Sequence, residues 1–334
     1  MSLPRERSSR PETAVISDPA ELASLKPRWR ALWQRCPTAT PFQSPDWLIP
    51  WWDIFAPGEL RIVTVTYNEN VIGLAPLYRD GTRLLPIGIS LSDYQDILLD
   101  PDFAEVAREE IGAAMAAMRD VEQCVFDEAA PEAAVLALAS PSWRERIAIA
   151  SPCPALPLPG SVQALKDVVP SSRLRHLRTA RRRVARRGDS AILEGDVDNA
   201  VALLTELVRL HRLRWDFEQN PGVFSDPRVE AFHAAALPAL IEEGLVRLYA
   251  LAINDAVVGI YYGLKHGETA YAYLCGYDPD YAFESPGSVL IGHAIETAIG
   301  EGCTRFDFLR GDEAYKYDWG AQDRWNVRFI LSKS

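Results

Sequence analysis

LVRLYALAINDAVVGIYYGLKHGETAYAYLCGYDPDYAFESPGSVLIGHAIETAIGEG, residues 245–302, decides the fold. Its first part reads as two strands, 245–254 and 257–267, rich in aromatic and β-branched residues and joined by the turn Asp255-Ala256. A third strand covers 269–281. A helix over 285–302 follows, with Pro286 and Gly287 at its start. Hairpin, long strand, glycine-containing turn and helix in that order build a sheet with helices packed on it. Along the third strand Tyr271, Tyr273, Cys275 and Tyr277 alternate with Leu274 and Gly276. A period of two places the first four on one face and the other two on the opposite face.

Upstream, 199–218 and 228–243 read as helices and 190–196 as a strand. SSRLRHLRTARRRVARRG, before them, is an amphipathic helix with a narrow apolar stripe of Leu174, Leu177, Ala180 and Val184. It carries eight arginines from Arg173 to Arg187 and no acid. Downstream, TRFDFLRG (304–311) reads as a strand and WNVRFILS (325–332) as the last one. SPCPALPLPG (151–160) holds four prolines and is expected to be a linker. The first part of the chain gives helices at 18–36 and from Ser44, a hairpin over 61–79, a strand at 83–89, a helix at 103–119, a strand at 123–129 and a short helix at 131–139. The expected class is α/β (α+β), mostly antiparallel. The expected divisions are a disordered tail (1–14), a first lobe (15–150), the linker (151–160) and a second lobe (161–334).

Composition narrows the function. The 334 residues are 48% apolar and 24% charged, as in ordinary globular domains. The net charge of −11 argues against a DNA-binding protein, because phosphate neutralisation needs an excess of Lys and Arg. Five dispersed cysteines (Cys36, Cys124, Cys153, Cys275 and Cys303) form no CxxC pair, so no disulfide framework or zinc site is expected. MSLPRERSSRPET lacks an apolar core, and no run is long enough to span a bilayer. A cytoplasmic protein without a transmembrane segment or metal is expected. No GxSxG, P-loop or GxGxxG is present.

The order of elements in the second lobe resembles the GNAT acetyltransferase core. HRLRWDFEQNPGVF (211–224), residues 257–290 and above all TRFDFLRGDEAYKYDWG (304–320) look like one branch of it. PFQSPDWLIPWW (41–52) and VIGLAPLYR (71–79) look similar too. That branch is the GNAT-like family associated with cellulose and exopolysaccharide biosynthesis (CelD/BcsL-like), similar in architecture to the Fem-type transferases. The resemblance implies tandem GNAT-like lobes, the first without a complete cofactor site. It also implies transfer of an acyl group, acetyl in the first instance, from acyl-CoA to an amine or hydroxyl of a sugar, polysaccharide precursor or small metabolite. The Q/R-x-x-G-x-G/A pattern of standard GNATs is absent, so the phosphate site rests on topology alone.

On that resemblance the cofactor-binding residues are Tyr273, Cys275, Gly276, Ser285, Gly287 and Ser288. A helix N-terminus there offers N–H groups to a pyrophosphate. Acyl transfer needs a base for the acceptor and a donor near the leaving thiolate. Asp307, in an apolar strand, is the expected base. Tyr315 or Tyr317 is the donor, and Lys316 stabilises the oxyanion or pairs with a carboxylate. His211 is the alternative base. It shares a helix face with Trp215, and these two with Arg214 are expected to meet the acceptor. Arg310, Asp312, Trp319 and Trp47 complete the expected substrate contacts, with Trp51 and Tyr94 as further first-lobe contributors, although Trp47 and Trp51 read first as core. The arginine helix is a solvated face or a site for an anionic ligand, such as a nucleotide-linked sugar or tRNA. Two other functions fit the same sequence: a Fem-type aminoacyl-tRNA-dependent transferase, and a non-catalytic GNAT-like module of a polysaccharide-export assembly.

Overall fold

The computed structural model describes residues 10–138, 142–217 and 222–333, with residues 214–217 described by their backbone. It divides into two compact units, 1–151 with 325–334, and 152–324.

The first unit opens with β1 (Glu12–Ile16), α1 (Leu22–Arg35) and α2 (Pro45–Phe55). Then come β2 (Glu59–Leu60), β3 (Ile62–Tyr67), β4 (Asn70–Ala75), β5 (Leu77–Asp80), β6 (Arg83–Pro86) and β7 (Leu98–Leu99). α3 (Ala104–Ala117), β8 (Gln123–Ala129) and β9 (Trp143–Pro152) follow. One sheet runs β1-β3-β4-β7. β1 starts inside the stretch expected to be a tail, because Glu12–Ile16 lie in full register against Ile62–Thr66 of β3. α2 begins as its sequence demands. The Ser44 hydroxyl accepts the Trp47 N–H, and Pro45 fills the first turn, where no N–H is needed. Ala107, Ile111 and Met115 of α3 pack on Val63 and Val65 of β3.

The second unit contains β10 (Ala155–Pro157), α4 (Ser171–Arg187), β11 (Ser190–Glu194), α5 (Ala200–Phe217) and α6 (Pro227–Glu242). These lead into β12 (Val246–Ile253), β13 (Ala256–His266), β14 (Thr269–Tyr277), α7 (Pro286–Gly300), β15 (Arg305–Asp307) and the short α8 (Ala314–Asp318). Its sheet runs β10-β15-β14-β13-β12-β11 and is antiparallel except where β14 meets β15. The expected linker therefore contributes an edge strand. Pro157 is tolerated there because an edge leaves one side of the backbone without a ladder partner. The β12–β13 turn is Asn254-Asp255, one residue earlier than expected. Both residues have positive φ, which Asn and Asp accept more readily than Ala.

The last strand, β16 (Trp325–Lys333), is a correction to the sequence reading. It lies between β8 and β9 in the first unit's other sheet, β2-β5-β6-β8-β16-β9. Phe329 and Leu331 are buried with Phe126 and Cys124 in that unit's core. Alternation identified a strand but gave no partner for it.

Both faces of the second sheet are covered. A Cβ on Gly259 would meet Pro286 and Leu290 of α7, whereas one on Gly276 would meet Leu207 and Leu210 of α5. Gly276 is paired with Ile260, the residue after Gly259, so α7 and α5 lie on opposite faces. α4 packs on α7 closely enough that Gly292 has Leu177 where a side chain would start.

Candidate active site

The parallel ladder between β14 and β15 is short. Thr269, Ala270 and Tyr271 lie beside Arg305, Phe306 and Asp307, and pairing stops there. β14 runs on to Tyr277 and leads into α7, while the chain after Asp307 turns away. That turn is built by two groups. The Asp307 carboxylate accepts the Leu309 N–H at 2.8 Å, and Leu309 takes a positive φ of 59°. Lys316, 2% exposed, then closes the loop from within. Its ammonium donates to the carbonyls of Leu309, Arg310 and Gly311 at 3.1, 2.8 and 3.2 Å and pairs with Glu313 at 2.9 Å.

Of the two roles expected of Lys316, the structure shows the pairing with a carboxylate. An ammonium has three donors, and here backbone carbonyls and a carboxylate engage them. It is the centre around which DFLRGDEAYK folds. Trp319 is likewise no contact surface: it is fully buried with the Arg173 guanidinium 4.4 Å from its ring centroid. Trp47 is also fully buried, its indole donating to Ser92 in the first unit, which leaves it no face to offer a ligand. Trp51 and Tyr94 are buried as well. Tyr317 is exposed, but its hydroxyl donates to Asp323 at 2.7 Å, and that bond raises its pKa to about 12. Tyr315 and Asp312 are exposed beside it, and Arg310 is half-buried.

A bulge overturns the expected facing of β14. The register with β13 shifts between Tyr262 and Gly263, so Tyr273 is an extra residue on β14. Its ring meets His233 of α6 and Tyr262 edge-on, each at 5.5 Å. Tyr273 and Gly276 thus face α5 and α6. Tyr277 and Cys275 face α7: Tyr277 approaches Gly287, and Cys275 lies opposite Tyr261, which packs in the α7 core. Tyr271 is buried beside Asp307, and burial together with that carboxylate pushes its hydroxyl up to about 12.

His211 is 5% exposed and packs edge-on against Phe224 at 5.1 Å. Phe224 in turn meets His233, which sequence reasoning passed over. Burial alone lowers the His233 pKa to about 3, so the ring is neutral. These aromatic side chains fill the space between α5, α6 and the sheet. A histidine in a helix gives no sequence sign of such burial. The side chains of Arg214 and Trp215 lie outside the described residues.

The start of α7 differs from an ordinary helix start. Ser285, at the cap position, has a positive φ of 56° and makes no side-chain cap, and the first turn holds no acid. Pro286 has no N–H, and the amides of Ser288 and Val289 turn back to the Ser285 carbonyl. Positive charge beside it comes from α4. Arg173 donates to the Ser288 hydroxyl at 3.2 Å, and its Nε is buried without a hydrogen-bond partner among the described residues. Arg183 donates to the Phe283 carbonyl and covers its ring, while Arg181 is paired with Glu296. Arg178, Arg182 and Arg186 point outward and pair with no carboxylate among the described residues. The arginine helix is therefore two-sided: one row clamps α7 and the loop before it, the other is free.

The fold is two mixed α/β units, and the site lies in the part of the chain that matches an acetyltransferase family model. Residues 171–317 match the family Acetyltransf_6, described as an acetyltransferase (GNAT) domain. Among solved structures, the chain is similar to FemX over 96% of both chains, with 12% identity and a TM-score of 0.64. It is also similar to the C-terminal domain of a putative lysylphosphatidylglycerol synthetase from Agrobacterium fabrum. There the identity is 12% and the TM-score 0.58, over 94% of this chain and 92% of the other. At such identities the likeness is one of fold. No curated protein matches the chain. Among the described residues, no helix is long and apolar enough to cross a membrane, and no cluster of His, Cys, Asp and Glu could hold a metal.

Proposed function

We propose that the second unit transfers an acyl group, acetyl in the first instance, from acyl-CoA to an amine or hydroxyl of a small or saccharide acceptor. The observation that carries this reading is the parting of β14 and β15 immediately after Tyr271 and Asp307, with α7 beginning at the far end of the longer strand. The thioester lies in that opening, and its phosphates reach Gly287, Ser288 and Arg173. Arginine is needed at this turn because so few of its amides are open. Asp307 takes the proton as the acceptor nitrogen or oxygen bonds to the thioester carbon. The carbon–sulfur bond then breaks, and Tyr315, exposed on α8, protonates the thiolate. Lys316 keeps the loop in place. His211 is the alternative base. The resemblance to the CelD/BcsL-like branch brings sugars and polysaccharide precursors among the acceptors, and the dispersed cysteines fit a cytoplasmic setting.

Calorimetric titration with CoA and acetyl-CoA tests the donor. Saturable binding that Arg173→Gln weakens is expected, and absence of binding by both species would sink the reading. A second reading, an aminoacyl-tRNA-dependent transferase, draws on the likeness to FemX and on the free row Arg178, Arg182 and Arg186. A gel shift with charged tRNA that falls steeply with salt would favour it.

A further inference from the structure

A cavity of about 600 Å³ opens at the other end of the β14–β15 ladder. Its floor is made of Ala155 and Pro157 of β10, Thr269 of β14 and Arg305 of β15, and one wall is Gln322–Arg324. The wall is fixed to the floor by backbone bonds in both directions, between Ala155 and Gln322 and between Cys153 and Arg324. The floor residues share a face with the chemistry. Thr269 and Arg305 are register partners, as are Tyr271 and Asp307 two residues on, and Ala155 lies directly across from Asp307. Leu156, Phe306 and Ala270 face the other way, into the α7 core. Arg305 is thus two residues, or roughly 6–7 Å, from Asp307 along the same face of one strand.

The charges of this cavity balance. Arg305 and Arg324 face Glu268 and Asp323. The two carboxylates already accept hydroxyls, from Thr304 at 3.1 Å and from Tyr317 at 2.7 Å. Arg305 is half-buried, and its side chain bonds that of Tyr271. Its Nε is shielded from solvent and has no hydrogen-bond partner among the described residues. A buried guanidinium N–H without an acceptor is costly, and a carboxylate ligand matches its fork. A polyanion would meet Glu268 and Asp323 as well, so one carboxylate is the best match.

We propose that this cavity holds the anionic end of the acyl acceptor, and that the acceptor is a small amine or alcohol bearing a single carboxylate anchored by Arg305. This rests on the acyl-transfer reading above. A carboxylate on Arg305 leaves a short aliphatic span to bring the nucleophile to Asp307.

The test uses the whole chain, with propionate and its neutral isostere propionamide as probes. In nitrogen-15 spectra, the Arg305 Nε–Hε resonance, assigned by its loss in Arg305→Gln, should shift saturably with propionate and stay still with propionamide. Arg305→Gln should weaken propionate binding about tenfold to a hundredfold, as expected for losing a charge-assisted pair. Arg305→Lys should lie between, and Arg324→Gln should weaken it less. All three variants should bind acetyl-CoA as the parent does, which separates this site from the donor site and reports that the fold is intact. Equal responses to both probes, or undiminished propionate binding in Arg305→Gln, would overturn the assignment. Propionate binding in a protein that ignores CoA would remove the acceptor role from the cavity.

Discussion

Lys316 and His233 are both buried basic residues, and each serves structure by a different route. Three carbonyls and Glu313 surround the Lys316 ammonium. Lys316→Met would leave those acceptors facing an apolar group, and buried acceptors without donors cost about 1–3 kcal/mol each, less than additively. A loss of about 3 kcal/mol or more is expected in urea unfolding. A loss below about 1 kcal/mol would mean that the ammonium does not hold the loop. His233 instead stays neutral. Its folded pKa, about 3, lies below the unfolded value near 6.5, so the unfolded chain binds the extra proton as pH falls. The stability this provides is complete above pH 6.5 and is lost progressively toward pH 3, at about 1.4 kcal/mol per pH unit. Asp96 in the first unit is pushed up to about 7 by burial and changes stability with the opposite sign over the same range, so a difference between variants is needed. Between pH 7.5 and 5.0 the parent should lose about 2 kcal/mol more than His233→Phe, which keeps the ring contacts. Equal losses would show that His233 is protonated in the folded protein. The Lys316 motif was conspicuous in the sequence as a charged knot after a strand. Nothing in a linear pattern, however, says whether a lysine points at a ligand or at its own backbone.

At the level of elements, the hairpin, the long strand and α7 were legible because alternation and turn residues are local signals. The facing of β14 was not. One extra residue, Tyr273, reverses every side chain beyond it, and a bulge leaves no mark on composition. Gly276 shows what the observed facing requires. A Cβ there would lie 3.0 Å from the His211 backbone nitrogen and 3.2 Å from Leu210 Cβ, both on α5. Backbone cannot move aside as a side-chain tip can, so Gly276→Ala should cost about 1–3 kcal/mol and loosen α5. Thermal unfolding indistinguishable from the parent would mean that α5 does not sit on this strand. The starts of α3 and α7 differ in charge. α3 in the first unit carries Glu105 in its first turn, and the Asp100 carboxylate caps the turn before it and pairs with Arg35. Such carboxylates repel an anion, whereas the start of α7 has none and has Arg173 beside it.

Over the whole chain, one pattern occurs twice: strand, two helices, hairpin, strand, helix, strand. It runs from β11 to β15 in the second unit and from β1 to β8 in the first, where β2, β5 and β6 are added to it. The repeat explains why element order could reveal the fold class while the ownership of β16 stayed hidden. A lone amphipathic strand fits any sheet edge, and its partner β8 lies about two hundred residues earlier, beyond any local signal. The assignment of β16 to the first unit has a direct consequence. Phe329 is fully buried against that unit's core, near Phe126, so Phe329→Ala removes a large side chain from between β8 and β9 of the β2-β5-β6-β8-β16-β9 sheet. A cost of about 3–5 kcal/mol is expected. Hydrogen exchange locates it: protection should fall across β6 and β8 and hold in β12, β13 and β14, which share no ladder with β16. If β12–β14 lost protection and β8 kept it, the last strand would belong with the second unit. The first sheet would then have to close without it.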